Sequence, residues 1–110
     1  MMKICAYEVE VLTQMLDGHL NNTQIDSVLK SPVTGYEYTG AGYFLELTNK
    51  ALPKVSKTIS DPNIIGRADD FIVGFLVYIE NQKLTLECHS WGTKNPPSTI
   101  REKSLTLSHS

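Results

Sequence analysis

The sequence predicts an α+β domain, with one or two N-terminal helices packed on one face of an antiparallel sheet of about five to six strands. Three observations carry this reading. Apolar residues before Leu20 recur at three- and four-residue steps, and from Val33 onward the period changes to two. The segment Phe71 to Trp91, FIVGFLVYIE-NQ-KLTLECHSW, then reads as two long strands joined by a two-residue turn. A chain of 110 residues, 41% hydrophobic and 20% charged, suits a single globular domain spanning residues 1–110.

From Ala6 to Leu20, the residues Val9, Leu12, Met15, Leu16 and Leu20 fall on one helical stripe, and Asp17-Gly18 supplies a C-terminal stop. Tyr7 to Val11 also alternates with period two, so a short strand there stands as the alternative to the first helical turn. Asn21-Asn22 suits a turn, and Thr23 to Asp26 has capping-box spacing for a short second helix. That helix has Ile25, Val28 and Leu29 as its apolar face and ends at Ser31-Pro32. Tyr36 and Tyr38, a Gly40-Ala41 turn, and Tyr43, Leu45 and Leu47 form a first hairpin, with Tyr38 opposite Tyr43 and Tyr36 opposite Leu45. Residues 50–63 read as a loop holding one edge strand, because Pro53 and Pro62 interrupt any regular pattern. Ile64 to Ala68 reads as a short strand turned at Asp69-Asp70 into the long hairpin, and Ser104 to Ser108 as a last edge strand.

In the long hairpin, an Asn81-Gln82 turn sets Glu80 opposite Lys83, Val77 opposite Leu86 and Phe75 opposite Cys88. Phe75, Val77, Ile79, Leu84 and Leu86 then form a core face covered by the helices. The other face carries Ile72, Leu76, Tyr78, Glu87, His89 and Trp91, and these six residues are the interaction candidates. Glu87 and His89, two apart on a strand, point the same way and offer a carboxylate-imidazole pair suited to general-base work or to two metal ligands. Their opposite neighbours Leu76 and Gly74 can do neither. No metal site and no cofactor is therefore expected, and no catalytic set can be assigned. Cys88 points to the core, which separates its thiol from His89 and removes a Cys-His dyad. Tyr36, Tyr38 and Tyr43 read as core aromatics rather than a recognition patch. Asp61, Asp69 and Asp70 read as solvated turn acids.

Composition excludes several classes. Ten basic and twelve acidic residues give a net charge of −2, and the basic ones are scattered, which is the wrong balance for nucleic-acid binding. No apolar run is long enough to span a bilayer, the first twelve residues lack a secretory pattern, and two cysteines do not make a disulfide framework. A cytoplasmic protein with reduced thiols and no membrane contact is the expectation.

The segments GAGYFLEL and GFLVYIENQKLTLECHSWG resemble a family of small bacterial proteins without an assigned activity. The resemblance spans most of the sheet region and implies fold rather than mechanism. The functional expectation is a small interaction module, of the immunity or inhibitor type or a homodimer, that binds a protein partner or itself through one sheet face. The alternative is a small enzyme or ligand-binding domain with Glu87 and His89 in a pocket.

Overall fold

The computed structural model describes residues 2–109. Helix α1 spans Ala6–Leu16 and α2 spans Asn22–Leu29. Seven strands follow: β1 Gly35–Tyr38, β2 Gly42–Thr48, β3 Lys57–Ile59, β4 Ile64–Ala68, β5 Phe71–Glu80, β6 Lys83–Ser90 and β7 Thr106–His109. All pairings are antiparallel, in the order β1-β2-β6-β5-β4-β7, with β3 beside the far half of β5. The α+β architecture is the expected one, with one strand more than the predicted upper bound. The three-residue β3 lies between Pro53 and Pro62, and β4 and β3 divide the same flank of β5 between them.

Both hairpin registers agree with the turn chemistry. Asn81 and Gln82 have φ of 49° and 65°, as a type I′ turn demands, and Glu80 lies opposite Lys83 and Phe75 opposite Cys88. Gly40, with φ of 90°, turns the chain so that Tyr38 faces Tyr43. Sequence could not place β2 against β6, a pairing that sets Leu45 beside Leu86 and makes the core face continuous across the sheet. Phe75, Val77, Ile79, Leu84 and Leu86 are buried there with Tyr43, Leu45 and Leu47, beneath Val11, Leu12, Met15 and Leu16 of α1. Tyr43 is fully buried on this face and Tyr36 packs against it, so these two are core aromatics, while Tyr38 at the rim is only half-buried.

Three local expectations are corrected. Residues 7–11 belong to the helix and not to the alternative strand, but α1 is rotated from the predicted stripe, with Val9 exposed and Tyr7 and Glu8 turned inward. The second helix is capped two residues earlier than the Thr23–Asp26 spacing suggests. Asn21 Oδ1 accepts from the Gln24 N–H and Gln24 Oε1 accepts from the Asn21 N–H, a box with the longer Gln side chain at the reaching position. The last strand begins at Thr106 instead of Ser104, because Ile100–Glu102 form a 3-10 turn and residues 91–105 run as a strap from β6 to the far sheet edge. Ile100 of that strap is buried in the helix-side core.

The two faces of the hairpin make different contributions to stability, and this can be measured. Val77→Ala should lower unfolding free energy by about 2 kcal/mol through lost burial and a cavity, whereas His89→Ala on the other face should cost less than about 1 kcal/mol. Denaturant melts of the two variants giving equal losses would contradict the face assignment.

Candidate functional site

The six predicted candidates share the face of the sheet turned away from the helices. Register rows define it: Glu37–Phe44–Glu87–Leu76 runs across β1, β2, β6 and β5, and the neighbouring row contains Glu46–Thr85–Tyr78–Thr58. A third row holds His89, Gly74 and Ile65. Ile72, Leu76, Tyr78, Glu87 and His89 are half-buried and Trp91 is 50% exposed. All six are brought together. Phe44, Glu37 and Glu46 join them, and sequence reasoning did not include these because they reach the face only through the β2–β6 pairing.

Gly74 is the point on which the aromatic end of this face is built. A Cβ at that position would lie 2.8 Å from His89 Nε2 and 3.1 Å from Trp91 Cδ1, so the absence of a side chain is what lets both rings settle onto the strand. Ile65, the register partner of Gly74, is buried outside the helix-side core cluster. The Trp91 N–H donates to the Ile72 carbonyl at 2.8 Å and holds the residue just past the end of β6.

The Glu87–His89 pair does not form a hydrogen bond. His89 Nδ1 lies 3.9 Å from Glu87 Oε2 and is buried without a hydrogen-bond partner, while Glu87 Oε1 accepts from the Tyr78 hydroxyl at 2.8 Å. That bond raises the Tyr78 phenol above its ordinary range, because the hydroxyl is donating to a carboxylate. Surface clefts of about 280, 320 and 220 Å³ lie elsewhere, between α1 and α2, beside the start of α1, and along β1. The two predicted chemical residues line none of these clefts, and the carboxylate is already engaged by Tyr78. Among the described residues no three His, Cys, Asp or Glu side chains converge as a metal cluster, and no helix is long and apolar enough to cross a membrane.

A second polar constellation went unread in the sequence. Glu8 is fully buried, and its carboxylate accepts from four donors: Arg101 Nε and Nη2 at 2.8 Å each, the Tyr43 hydroxyl at 2.5 Å and the Cys5 N–H at 2.8 Å. The Tyr43 hydroxyl oxygen, having donated to Glu8, can accept from Tyr7 at 2.6 Å. Arg101 also donates to the Lys3 carbonyl at 2.7 Å and stacks 5.6 Å from the Tyr36 ring centroid. The signal for Glu8 was its place one helical turn before Leu12, on the stripe that is otherwise apolar. Nothing in the sequence pairs it with Arg101.

The Glu8 carboxylate of this cluster is wholly buried and taken up by internal donors, while Cys5, Tyr7 and Arg101 border the cleft beside the start of α1. Burial pushes the Tyr7, Tyr43 and Cys88 groups well above their ordinary values, and burial together with the nearby Glu8 carboxylate raises Cys5 to about 11, so both thiols stay protonated and unreactive near neutrality. Arg101 is raised by its bond to Glu8. The cluster ties the strap and α1 to the sheet.

No family model matches this chain, no curated protein matches it, and no solved structure matches it.

Two outcomes test the buried cluster. Arg101→Met leaves the Glu8 charge uncompensated and should destabilise by about 3 to 5 kcal/mol, while Glu8→Gln combined with Arg101→Met should recover a large part of that loss in the same denaturant melts. The raised Tyr7, Tyr43 and Cys88 values work in the alkaline range. The unfolded chain releases these protons near the ordinary values of 10.0 and 9.0 and the folded chain keeps them, so above that range the unfolded state binds fewer protons. Their stabilisation is complete below about pH 9 and is lost as pH rises beyond it, by up to about 1.4 kcal/mol per pH unit per group. Melts at about pH 8 and about pH 10.5 measure the slope.

Proposed function

We propose that this chain is a small protein-interaction module that binds another protein through the open face of its sheet. The observation that carries the reading is the half-exposed Trp91, laid with His89 over Gly74 beside Ile72 on a face that the helices leave uncovered. Tryptophan and tyrosine held rigidly on a flat surface supply large contact area at little ordering cost, which is the character of binding hot spots.

The scale of the face is adequate. Six strands about 4.8 Å apart and up to ten residues long present an area on the order of 700 Å², near the share one partner contributes to an ordinary specific interface. An inhibitor or immunity-type role, in which docking itself blocks the partner, is the form of the proposal that requires no chemistry from the chain. The open geometry around Glu87 and His89 favours contact over catalysis for the same residues.

Site-specific photocrosslinking tests the proposal. A benzophenone side chain placed at Leu76 should yield one discrete adduct in the native host cell, and the same group at Thr13 on the exposed side of α1 should yield none. An adduct of twice the chain mass would identify the partner as a second copy. No adduct from Leu76, or the same adduct from Thr13, would remove the sheet face as the binding surface.

A further inference from the structure

Resting on the sheet-face reading above, we infer that the partner is a protein with a basic surface, and that it seats an arginine or lysine side chain on Phe44 between Glu37 and Glu87. Phe44 lies between Glu37 of β1 and Glu87 of β6 in one register row, and Glu46 follows two residues along β2 on the same face. Strand spacing of about 4.8 Å places a carboxylate-bearing residue on either side of the ring. A cation over that ring gains from the aromatic quadrupole and from charge-assisted hydrogen bonds to the flanking acids.

The acceptor is prepared for such a guest. Glu87 is oriented by the Tyr78 hydroxyl, which donates to Oε1 at 2.8 Å. Its Oε2 lies 3.9 Å from His89 Nδ1 and makes no hydrogen bond among the described residues, so it keeps acceptor capacity on a side chain only 23% exposed. Of the three carboxylates, only Glu46 has a lysine within reach, Lys83 at 4.0 Å. Leu76 stands next to Glu87 in the row, and Ile72 and Trp91 continue the apolar strip along β5. The partner's cation is thus accompanied by an apolar group that rests on Leu76, Ile72 and Trp91.

A second copy fits this patch less well. Its own open face would bring Glu37, Glu46, Glu80 and Glu87 against the same four acids, with Arg67 and Lys83 as the basic residues in these strand rows. Complementary charge, rather than like charge, is what such a face selects.

Selection of displayed random peptides of about 12 residues on the intact protein tests the inference. Enriched peptides should place Arg or Lys close to an aromatic or aliphatic residue. Their affinity, read from the emission of the chain's only tryptophan or by calorimetry, should fall about tenfold in the Glu37→Gln/Glu87→Gln variant and fall again between about 0.05 and 0.5 M salt. The glutamines keep the Tyr78 hydrogen bond and remove only charge. Binding lost in Trp91→Ala but changed less than about twofold in the double glutamine variant would overturn the basic partner and leave the face reading standing. Binding indifferent to both Trp91→Ala and Leu76→Lys would overturn the two together. Enrichment of nothing, or a sedimenting dimer abolished by Leu76→Lys, would overturn the basic partner.

Discussion

The carboxylate of Glu8 points into the core side of α1, and Arg101 on the C-terminal strap meets it there with two hydrogen bonds. Taking a carboxylate out of water is tolerable only when opposite charge and hydrogen bonds replace the lost hydration. Here the replacement comes from four parts of the chain: the strap gives Arg101, β2 gives Tyr43, the residue before α1 gives its own N–H, and Tyr36 of β1 provides a face for the guanidinium. Apolar packing of α1 and Ile100 places the helix and the strap against the sheet, and the ion pair is satisfied in the one geometry where the two meet.

This division of labour separates the two faces. The helix side of the sheet is filled with apolar side chains and tied down by the Glu8 cluster. The opposite side keeps alternating acids and aromatics at half exposure, and among the described residues the large ring left most open there is Trp91. Rigidity on one face is what gives fixed positions on the other: Glu87, Leu76 and Phe44 are held by strands whose inward neighbours are buried in the core.

Much of this was legible in the sequence wherever the signal was local. The Asn81-Gln82 and Gly40-Ala41 turns fix register, and once register is fixed, alternation assigns Val77 and Leu86 to one face and Leu76 and Glu87 to the other. What escaped was non-local. The pairing of β2 with β6 leaves no mark in either strand alone, so Phe44 could not be placed beside Glu87. Tyr7 to Val11 carries two periods at once, and only packing against the sheet selects the helix and turns Glu8 inward with Leu12. Arg101 looks like any scattered basic residue until its partner, far away in the sequence, is known.

That distance has a bearing on how the molecule is made. Residues 8 and 101 are separated by 93 positions, so nearly the whole sheet has left the ribosome before the charge on Glu8 finds its counterpart. Strands β1 to β6 and both helices can assemble from earlier segments, but α1 cannot settle with Glu8 compensated until the strap has emerged. A nascent chain halted before Arg101 therefore carries the Glu8 carboxylate without the guanidinium that compensates it in the folded molecule.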